Sequence, residues 1–187
     1  MRDTHSQRLD ARGRLIAAAT RIWSADPSAP LESVASEAAV GRATLHRYFP
    51  ARADLLRAAA IDGILTLDEA LANAGLTEQP AAEALRALSA ILVRSGDRLH
   101  FVLMAGELLG DAAVTEVERR VDARLHRVLD RAVAEGVLRA DVPKAWRFRV
   151  LEALVYAAWT AVADGELAVN DAPGLVHDAM LRGLGTP

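Results

Sequence analysis

Apolar residues recur along most of the chain at intervals of three and four positions, and no convincing two-residue alternation of apolar and polar residues is present. The first spacing is typical of amphipathic α-helices, whereas alternation indicates strands. Glycine and proline separate the periodic segments. The chain is therefore predicted to be all-α with about nine helices: 10–24, two short helices within 30–49, and helices near 51–73, 81–95, 97–109, 112–135, 143–164 and 172–184.

Two of the long segments carry different patterns. The segment 112–135 has one apolar stripe and an opposite side rich in arginine and acids, which is typical of an amphipathic helix with a solvated face. The segment 143–164 is apolar on more than one face, and such a helix is buried on both sides. In a chain this short, a subunit interface is the economical explanation. The predicted interface residues are Val155, Trp159 and Val162, joined from the last helix by Leu175 and Ala179.

The most informative pattern lies within residues 31–57. A short helix is predicted first, and a tight turn follows at 39–41. A second short helix over 42–49 is stopped by Pro50. Two short helices joined by a tight turn form a helix-turn-helix, whose second helix can enter the major groove of DNA. The apolar face of the first helix consists of Val34, Ala35 and Ala38.

The second short helix has a surface suited to DNA. Leu45 and Phe49 lie four residues apart and are expected to face the core together. The outward residues are small or hydrogen-bonding, and none carries a carboxylate, so they suit phosphates and base edges. The predicted DNA contacts are Arg42, Ala43, Thr44, His46, Arg47 and Tyr48, with Arg52 holding a phosphate at the start of the next helix.

The stretch VASEAAVGRATLHRYFPARADLL resembles the helix-turn-helix signature of the TetR family of bacterial repressors, IA-x-x-A-G-V-S-x-x-T-L-Y-x-H-F-x-x-K-x-x-L. The matching residues are Val34, Ala35, Ala38, Val40, Thr44, Leu45, Phe49 and Leu55. The departures are Ala39 for the turn glycine, Gly41 for the N-cap serine, His46 for tyrosine, Tyr48 for histidine and Arg52 for lysine. Glycine is a weaker N-cap than serine.

The resemblance implies an N-terminal three-helix DNA-binding domain over residues 1–57, with helix 4 continuing from about residue 51. It also implies a C-terminal helical effector-binding and dimerisation domain over 58–187, whose last two helices form a dimeric four-helix bundle. The implied function is a homodimeric transcriptional regulator. It represses from a palindromic operator and is released when a small, largely apolar effector binds. A helix-turn-helix activator, a DNA-binding protein without ligand control, and an adaptor with a vestigial motif stay open as alternatives.

Candidate ligand contacts come from two of the predicted helices. Apolar residues recur on one face of 97–109, which also carries two polar residues, and two aromatic residues come from 143–164. A mostly apolar cavity with a few polar anchors is typical of ligand sites, although the same residues also suit ordinary core packing. The candidates are His100, Phe101, Met104, Glu107, Leu108, Trp146 and Tyr156. Glu152 interrupts an uncharged run and either anchors a ligand or pairs with Arg149 or Arg182.

Charge supports DNA contact at one end of the chain. The net charge of the chain is −3. Residues 1–57 carry nine arginines and six acids, a net charge of +3, so residues 58–187 carry a net charge of −6. A basic N-terminal segment beside an acidic remainder suits contact with a polyanion such as DNA, although the asymmetry of charge could also arise by chance.

The remaining composition excludes several classes. Cysteine is absent, so thiolate chemistry and disulfides are too. No signal-like segment or bilayer-length apolar run is present, and a cytoplasmic location is expected. No nucleophile elbow, P-loop or H-E-x-x-H motif occurs, so we predict no enzyme activity, no catalytic residue and no cofactor. The spacing of Asp122, His126 and Asp130 permits a metal, but a solvated helix face is the preferred interpretation.

Overall fold

The computed structural model describes residues 3–96, 98, 99 and 110–186, with side chains described from residue 11 onward. This part of the chain is all-α, as predicted, and its only pairing of strand type is an isolated bridge between Leu138 and Gly185. The helices are α1 (Asp3–Ala25), α2 (Leu31–Glu37), α3 (Arg42–Tyr48), α4 (Arg52–Asn73), α5 (Ala81–Arg94), α6 (Ala112–Ala134), α7 (Lys144–Ala163) and α8 (Ala172–Leu184). The helix predicted at 97–109 lies outside the described residues except for Arg98 and Leu99.

The chain divides into two compact units. The first comprises Met1–Ile64 and Asp97–Thr115, and the second comprises Leu65–Gly96 and Glu116–Pro187. The whole of the predicted DNA-binding segment 1–57 belongs to the first unit. The finer boundary after residue 57 stays a prediction.

The core of the first unit forms where α1 packs against α2 and α2 packs against α3. On α1, Leu15 and Trp23 face this core and are fully inaccessible to solvent. Trp23 also donates its indole N–H to the carbonyl oxygen of Ala29 at 3.0 Å. This bond satisfies the polar atom of a buried tryptophan and holds the loop between α1 and α2 against the core.

The second unit is organised around α8, which packs against α5 and α7. Most of the apolar stripe predicted on α6 is buried. Arg131 on the same helix holds the loop before α5. The Arg131 guanidinium donates to the carbonyl oxygens of Leu76 and Gln79 at 2.7 and 2.6 Å. Glu135 then accepts the N–H of Ala81, the first residue of α5, at 2.8 Å. Side chains at the C-terminal end of α6 and just beyond it therefore hold this loop.

Trp159 on α7 fits against the backbone at the end of α5. Its indole N–H lies 2.9 Å from the carbonyl oxygen of Leu92 and 3.1 Å from that of Val93. A Cβ at Gly96 would lie 2.7 Å from the Trp159 Nε1, closer than real Cβ contacts. The absence of a side chain at position 96 thus makes room for the indole ring.

A buried histidine is expected to make the protein less stable in mild acid. His177 on α8 is 3% exposed, and burial, followed by the nearby charge of Arg86, lowers its pKa below the ordinary 6.5, while Asp178 opposes the shift. Below about pH 6.5 the unfolded chain takes up a proton that the folded chain resists, so the free energy of unfolding falls as pH falls. Urea unfolding at pH 7.5 and 5.5 measures this change. In His177→Gln the fall should be smaller, and equal falls in both proteins would contradict the assignment.

Candidate nucleic-acid interface

The turn between α2 and α3 is tight and hydrogen-bonded. The N–H of Val40 donates to the carbonyl oxygen of Ala35 at 2.9 Å, and that of Thr44 donates to Gly41 at the same distance. Ala39 adopts a left-handed conformation with φ of 50°, at the position where the family signature has glycine. The structure therefore keeps the turn that the signature implies, although an alanine occupies it.

Ala39→Gly is expected to stabilise the protein. A left-handed conformation costs about 1–2 kcal/mol for a residue with a Cβ, and glycine removes this cost. Part of the gain is lost again, because glycine has greater conformational freedom in the unfolded chain. We expect a net increase of about 1 kcal/mol in the free energy of unfolding, or about 2–4 °C in Tm. Scanning calorimetry measures the shift. The same replacement at the exposed, mid-helix Ala123 should instead destabilise by about 1 kcal/mol. A destabilised Ala39→Gly variant would contradict the argument.

The pattern of buried and exposed residues on and after α3 agrees with the sequence prediction. Leu45 and Phe49 are buried, so the rest of the helix is turned toward solvent. The exposed face contains no acidic residue. The predicted DNA contacts on α3 are placed there, with Arg42, Ala43, His46 and Arg47 exposed and Thr44 and Tyr48 half-buried. Their roles as DNA contacts stay predictions.

Within the described part of the chain, the two arginines of α3 have only weak attachments. Arg42 lies 3.7 Å from a carboxylate oxygen of Glu32, with both side chains largely exposed. Such pairs contribute little, because solvent screens them. Arg47 lies 5.2 Å from the centre of the ring of its neighbour Tyr48. Neither attachment is strong enough to oppose a contact with a phosphate or a guanine.

Arg52 has partners that the sequence did not indicate. Its Nη2 donates to the carbonyl oxygen of Pro27 at 2.6 Å, and its guanidinium lies 4.5 Å from the centre of the Trp23 ring. Arg52 therefore fastens the loop between α1 and α2 to the start of α4. A guanidinium has five N–H donors, so the predicted phosphate contact is compatible with this role.

Two replacements separate these roles of Arg52. Arg52→Ala removes a hydrogen bond and a cation–π contact, and we expect a loss of about 1–2 kcal/mol in the free energy of unfolding. It should also weaken DNA binding about equally across sequences and flatten the salt dependence by about one unit. Arg52→Lys keeps the charge without the planar fork. It should preserve the salt dependence while recovering only part of the stability. Salt titrations of DNA binding and urea unfolding measure both quantities. Full stability in Arg52→Ala would contradict the fastening role.

The predicted ligand contacts fall into two groups. His100, Phe101, Met104, Glu107 and Leu108 lie outside the described residues. On α7, Trp146 is 61% exposed and Tyr156 is also exposed. A role for these residues in ligand binding stays a prediction.

The predicted interface residues divide between the interior and the surface of the second unit. Val155 is buried and Trp159 is engaged with α5, so both contribute to packing within one protomer. Val162 is half-buried. Leu175 is 56% exposed, and Ala179 lies on the same exposed side of α8. An interface that includes these residues stays a prediction.

Charged residues on α6 and α7 have partners within the protein. Glu152 is exposed and accepts a hydrogen bond from Arg149 at 2.8 Å, which is one of the pairings expected for it. Asp130 pairs with Lys144 at 2.6 Å. Burial raises the pKa of Asp122.

Within the described ranges, no group of three or more potential metal-binding residues is found.

None of the helices within the described ranges is both long enough and apolar enough to span a bilayer.

Comparison with known proteins agrees with this geometry. The family model described as bacterial regulatory proteins, tetR family, matches residues 15–59. The HTH-type transcriptional repressor LfrR of Mycolicibacterium smegmatis is 34% identical over 154 residues, which cover 82% of this chain and 80% of the relative. The structure of LfrR from Mycobacterium smegmatis in complex with proflavine aligns with a TM-score of 0.79 and 28% identity, covering 97% of this chain and 99% of that one. PfmR from Thermus thermophilus is 19% identical over 92% of this chain and all of that one, with a TM-score of 0.74, and shows a shared fold.

The fold and the exposed face of α3 define a helix-turn-helix DNA-binding protein. The similarity to LfrR extends well beyond the motif, over four-fifths of both chains. The chain belongs to the TetR family and is a transcriptional regulator. LfrR and PfmR are regulators, and the absence of enzyme activity in this chain stays a prediction.

Proposed function

We propose that the chain is a transcriptional repressor that binds a palindromic operator as a homodimer and releases it when a small molecule binds to the C-terminal part. The observation that carries this proposal is the exposed face of α3, where two weakly held arginines stand beside hydrogen-bonding residues and no carboxylate. The repressor function is supported by the similarity to LfrR, which is named a transcriptional repressor.

The size of the proposed recognition helix supports a dimer. α3 has seven residues and contacts only a few base pairs. Two copies related by a twofold axis read a palindrome whose half-sites lie about 34–36 Å apart, or a multiple of that distance. A change in the separation of the two helices weakens both contacts together, which gives an effector a means of control.

The proposed dimer surface is the exposed side of α7 and α8. On α8 it contains Leu175 and Ala179. On α7 it contains Ala153 and Ala157, which are exposed and lie about one turn apart. Small residues let helices approach closely, and an exposed apolar patch favours burial against a second copy.

The proposed effector is a small, largely apolar molecule, and its first candidates are planar aromatic compounds. LfrR was solved in complex with proflavine, a planar aromatic cation, and the similarity to that structure spans nearly the whole chain. Such a molecule buries its ring against apolar side chains and needs few polar contacts.

Selection of bound sequences from random duplex DNA tests the DNA-binding part of the proposal. The purified protein should enrich a palindrome, and its half-site spacing should match one helical turn or a multiple. Enrichment of no sequence would overturn the proposal. Placing the selected site within or upstream of a promoter driving a reporter then separates repression from activation.

Proflavine is the first probe of ligand control. If it binds the folded protein, Tm should rise, with a stabilisation of about 2.7 kcal/mol at a hundredfold excess over Kd. The same concentrations should weaken operator binding, because coupled binding free energies are reciprocal. A broad panel of apolar compounds that shifts neither Tm nor operator affinity would favour a DNA-binding protein without ligand control.

A further inference from the structure

The first turn of α6 is held by a carboxylate with two separate tasks. One oxygen of Asp111, Oδ1, accepts the backbone N–H groups of Ala113 and Val114 at 3.0 and 3.2 Å, which is the geometry of an N-cap. The other oxygen, Oδ2, accepts Nε–H of Arg57 on α4 at 2.5 Å. Only 17% of the Asp111 side chain is exposed. The cap of α6 is therefore also an ion-pair partner of α4.

Arg57 extends this connection to the beginning of its own helix. Its Nη1 lies 3.3 Å from Oδ1 of Asp54, one turn earlier on α4. The second oxygen of Asp54 accepts the N–H of Ala51 at 3.1 Å, immediately before α4 begins. Ala51 is three residues beyond the end of α3. An unbroken series of hydrogen bonds thus runs from the first turn of α6 to the junction of α3 and α4, all within the first unit.

The charges in this series reinforce one another. The hydrogen bond from Arg57 lowers the pKa of Asp111, and the Val114 amide adds to the effect. The pKa of Arg57 is raised, mainly by Asp111 and to a smaller extent by Asp54. Both shifts favour the charged forms of Asp111 and Arg57, and hydrogen bonds between ionised groups are shorter and stronger than neutral ones. The pair between Asp54 and Arg57 is half exposed, so the Asp111 end is the stronger part.

We propose that the series Asp54–Arg57–Asp111, here called the relay, makes the position of the first turn of α6 control the start of α4 and hence the presentation of α3 to DNA. Arg57 and Asp111 are positioning residues in this proposal and have no assigned contact with DNA. Its regulatory consequence rests on the proposed function. A change that displaces the cap of α6 would reach the start of α4 through a single guanidinium, and from there the junction of α3 and α4.

Asp111→Asn separates the relay from the helix cap. Asparagine caps a helix about as well as aspartate, so α6 keeps its first turn, while the charge that holds Arg57 is lost. In hydrogen–deuterium exchange of the protein alone, we expect amides of residues 51–55 to exchange about tenfold faster, with 113 and 114 little changed. Operator affinity should fall about tenfold, within the range of known coupling between sites. Faster exchange confined to 111–115, or none, would overturn the relay.

Matched variants exclude trivial explanations. Asp141→Asn removes the same charge from an exposed pair with Arg139 and should leave exchange at 51–55 and operator affinity unchanged. Arg57→Gln should reproduce the effects of Asp111→Asn, and the double variant should add little to either, since both break one connection. Additive effects would contradict the proposal. If the wild type selects no DNA sequence, the proposed function fails, but the exchange experiment still decides whether the relay exists.

Discussion

Replacing Arg42, Thr44 and Arg47 together by alanine should reduce operator affinity about a thousandfold or more and remove the preference for operator over random DNA. A good bidentate contact to a base contributes about 1–3 kcal/mol of discrimination, and each charged contact adds sequence-independent affinity. These side chains contribute little to the core, since both arginines are exposed and Thr44 is half-buried. The folded protein should therefore be unaffected.

Fluorescence anisotropy with selected and scrambled duplexes, at one salt concentration, measures both affinities for the triple variant. The charge-matched control is Arg119→Ala with Arg127→Ala, which removes two exposed arginines from α6. Its operator affinity should stay close to that of the wild type. Unchanged discrimination between the two duplexes in the triple variant would show that α3 is not the recognition helix.

Leu175→Glu should convert the dimer to monomers and remove operator binding without a change in α3. Burying a leucine contributes about 1.5–3 kcal/mol, and a twofold interface contains each residue twice. The replacement would also bring two carboxylates toward the same apolar surface, where an unpaired charge is costly. Since Leu175 is more than half exposed in the protomer, the fold itself loses little.

Light scattering at micromolar concentration measures the mass of Leu175→Glu, and helicity and Tm show that the protomer is intact. Leu65→Glu, at another exposed apolar position on α4, serves as the control and should leave the mass unchanged. A monomeric wild type would overturn the dimer. Trp159→Glu is a poorer test, because it breaks hydrogen bonds within the protomer and is expected to unfold the second unit.

The sequence predicted the local parts of this structure well. The two short helices, their turn and the apolar positions Leu45 and Phe49 are specified within about twenty consecutive residues, where helical period and proline position suffice. The apolar stripe on α6 was equally clear. The packing of the faces of α7 could not be predicted in the same way. Periodicity shows that a helix is apolar all round, but it does not show which neighbour covers each face. Trp159 packs within the protomer, while Trp146 is exposed.

Contacts between residues far apart in the chain could not be predicted from the sequence. Arg52 meets a carbonyl 25 residues away, and Arg57 meets a carboxylate 54 residues away. In a chain with 22 basic and 25 acidic residues, the number of conceivable pairs is far larger than the number formed. No periodicity selects among them, since the choice depends on how helices are placed in three dimensions. The pairing of Glu152 was easier to predict, because its partner Arg149 lies one helical turn away and was one of the two arginines expected.

The three tryptophans make the two units separately observable in fluorescence. Trp23 is enclosed in the first unit beneath a guanidinium, Trp159 lies against carbonyl groups in the second, and Trp146 is exposed to water. Excited indoles emit at longer wavelength in polar surroundings, so the two enclosed rings report loss of structure by a red shift, and Trp146 contributes a nearly constant background. With Trp146 replaced by phenylalanine, each remaining indole belongs to one unit. Single-tryptophan variants then show whether the units melt together or in sequence, without an attached dye.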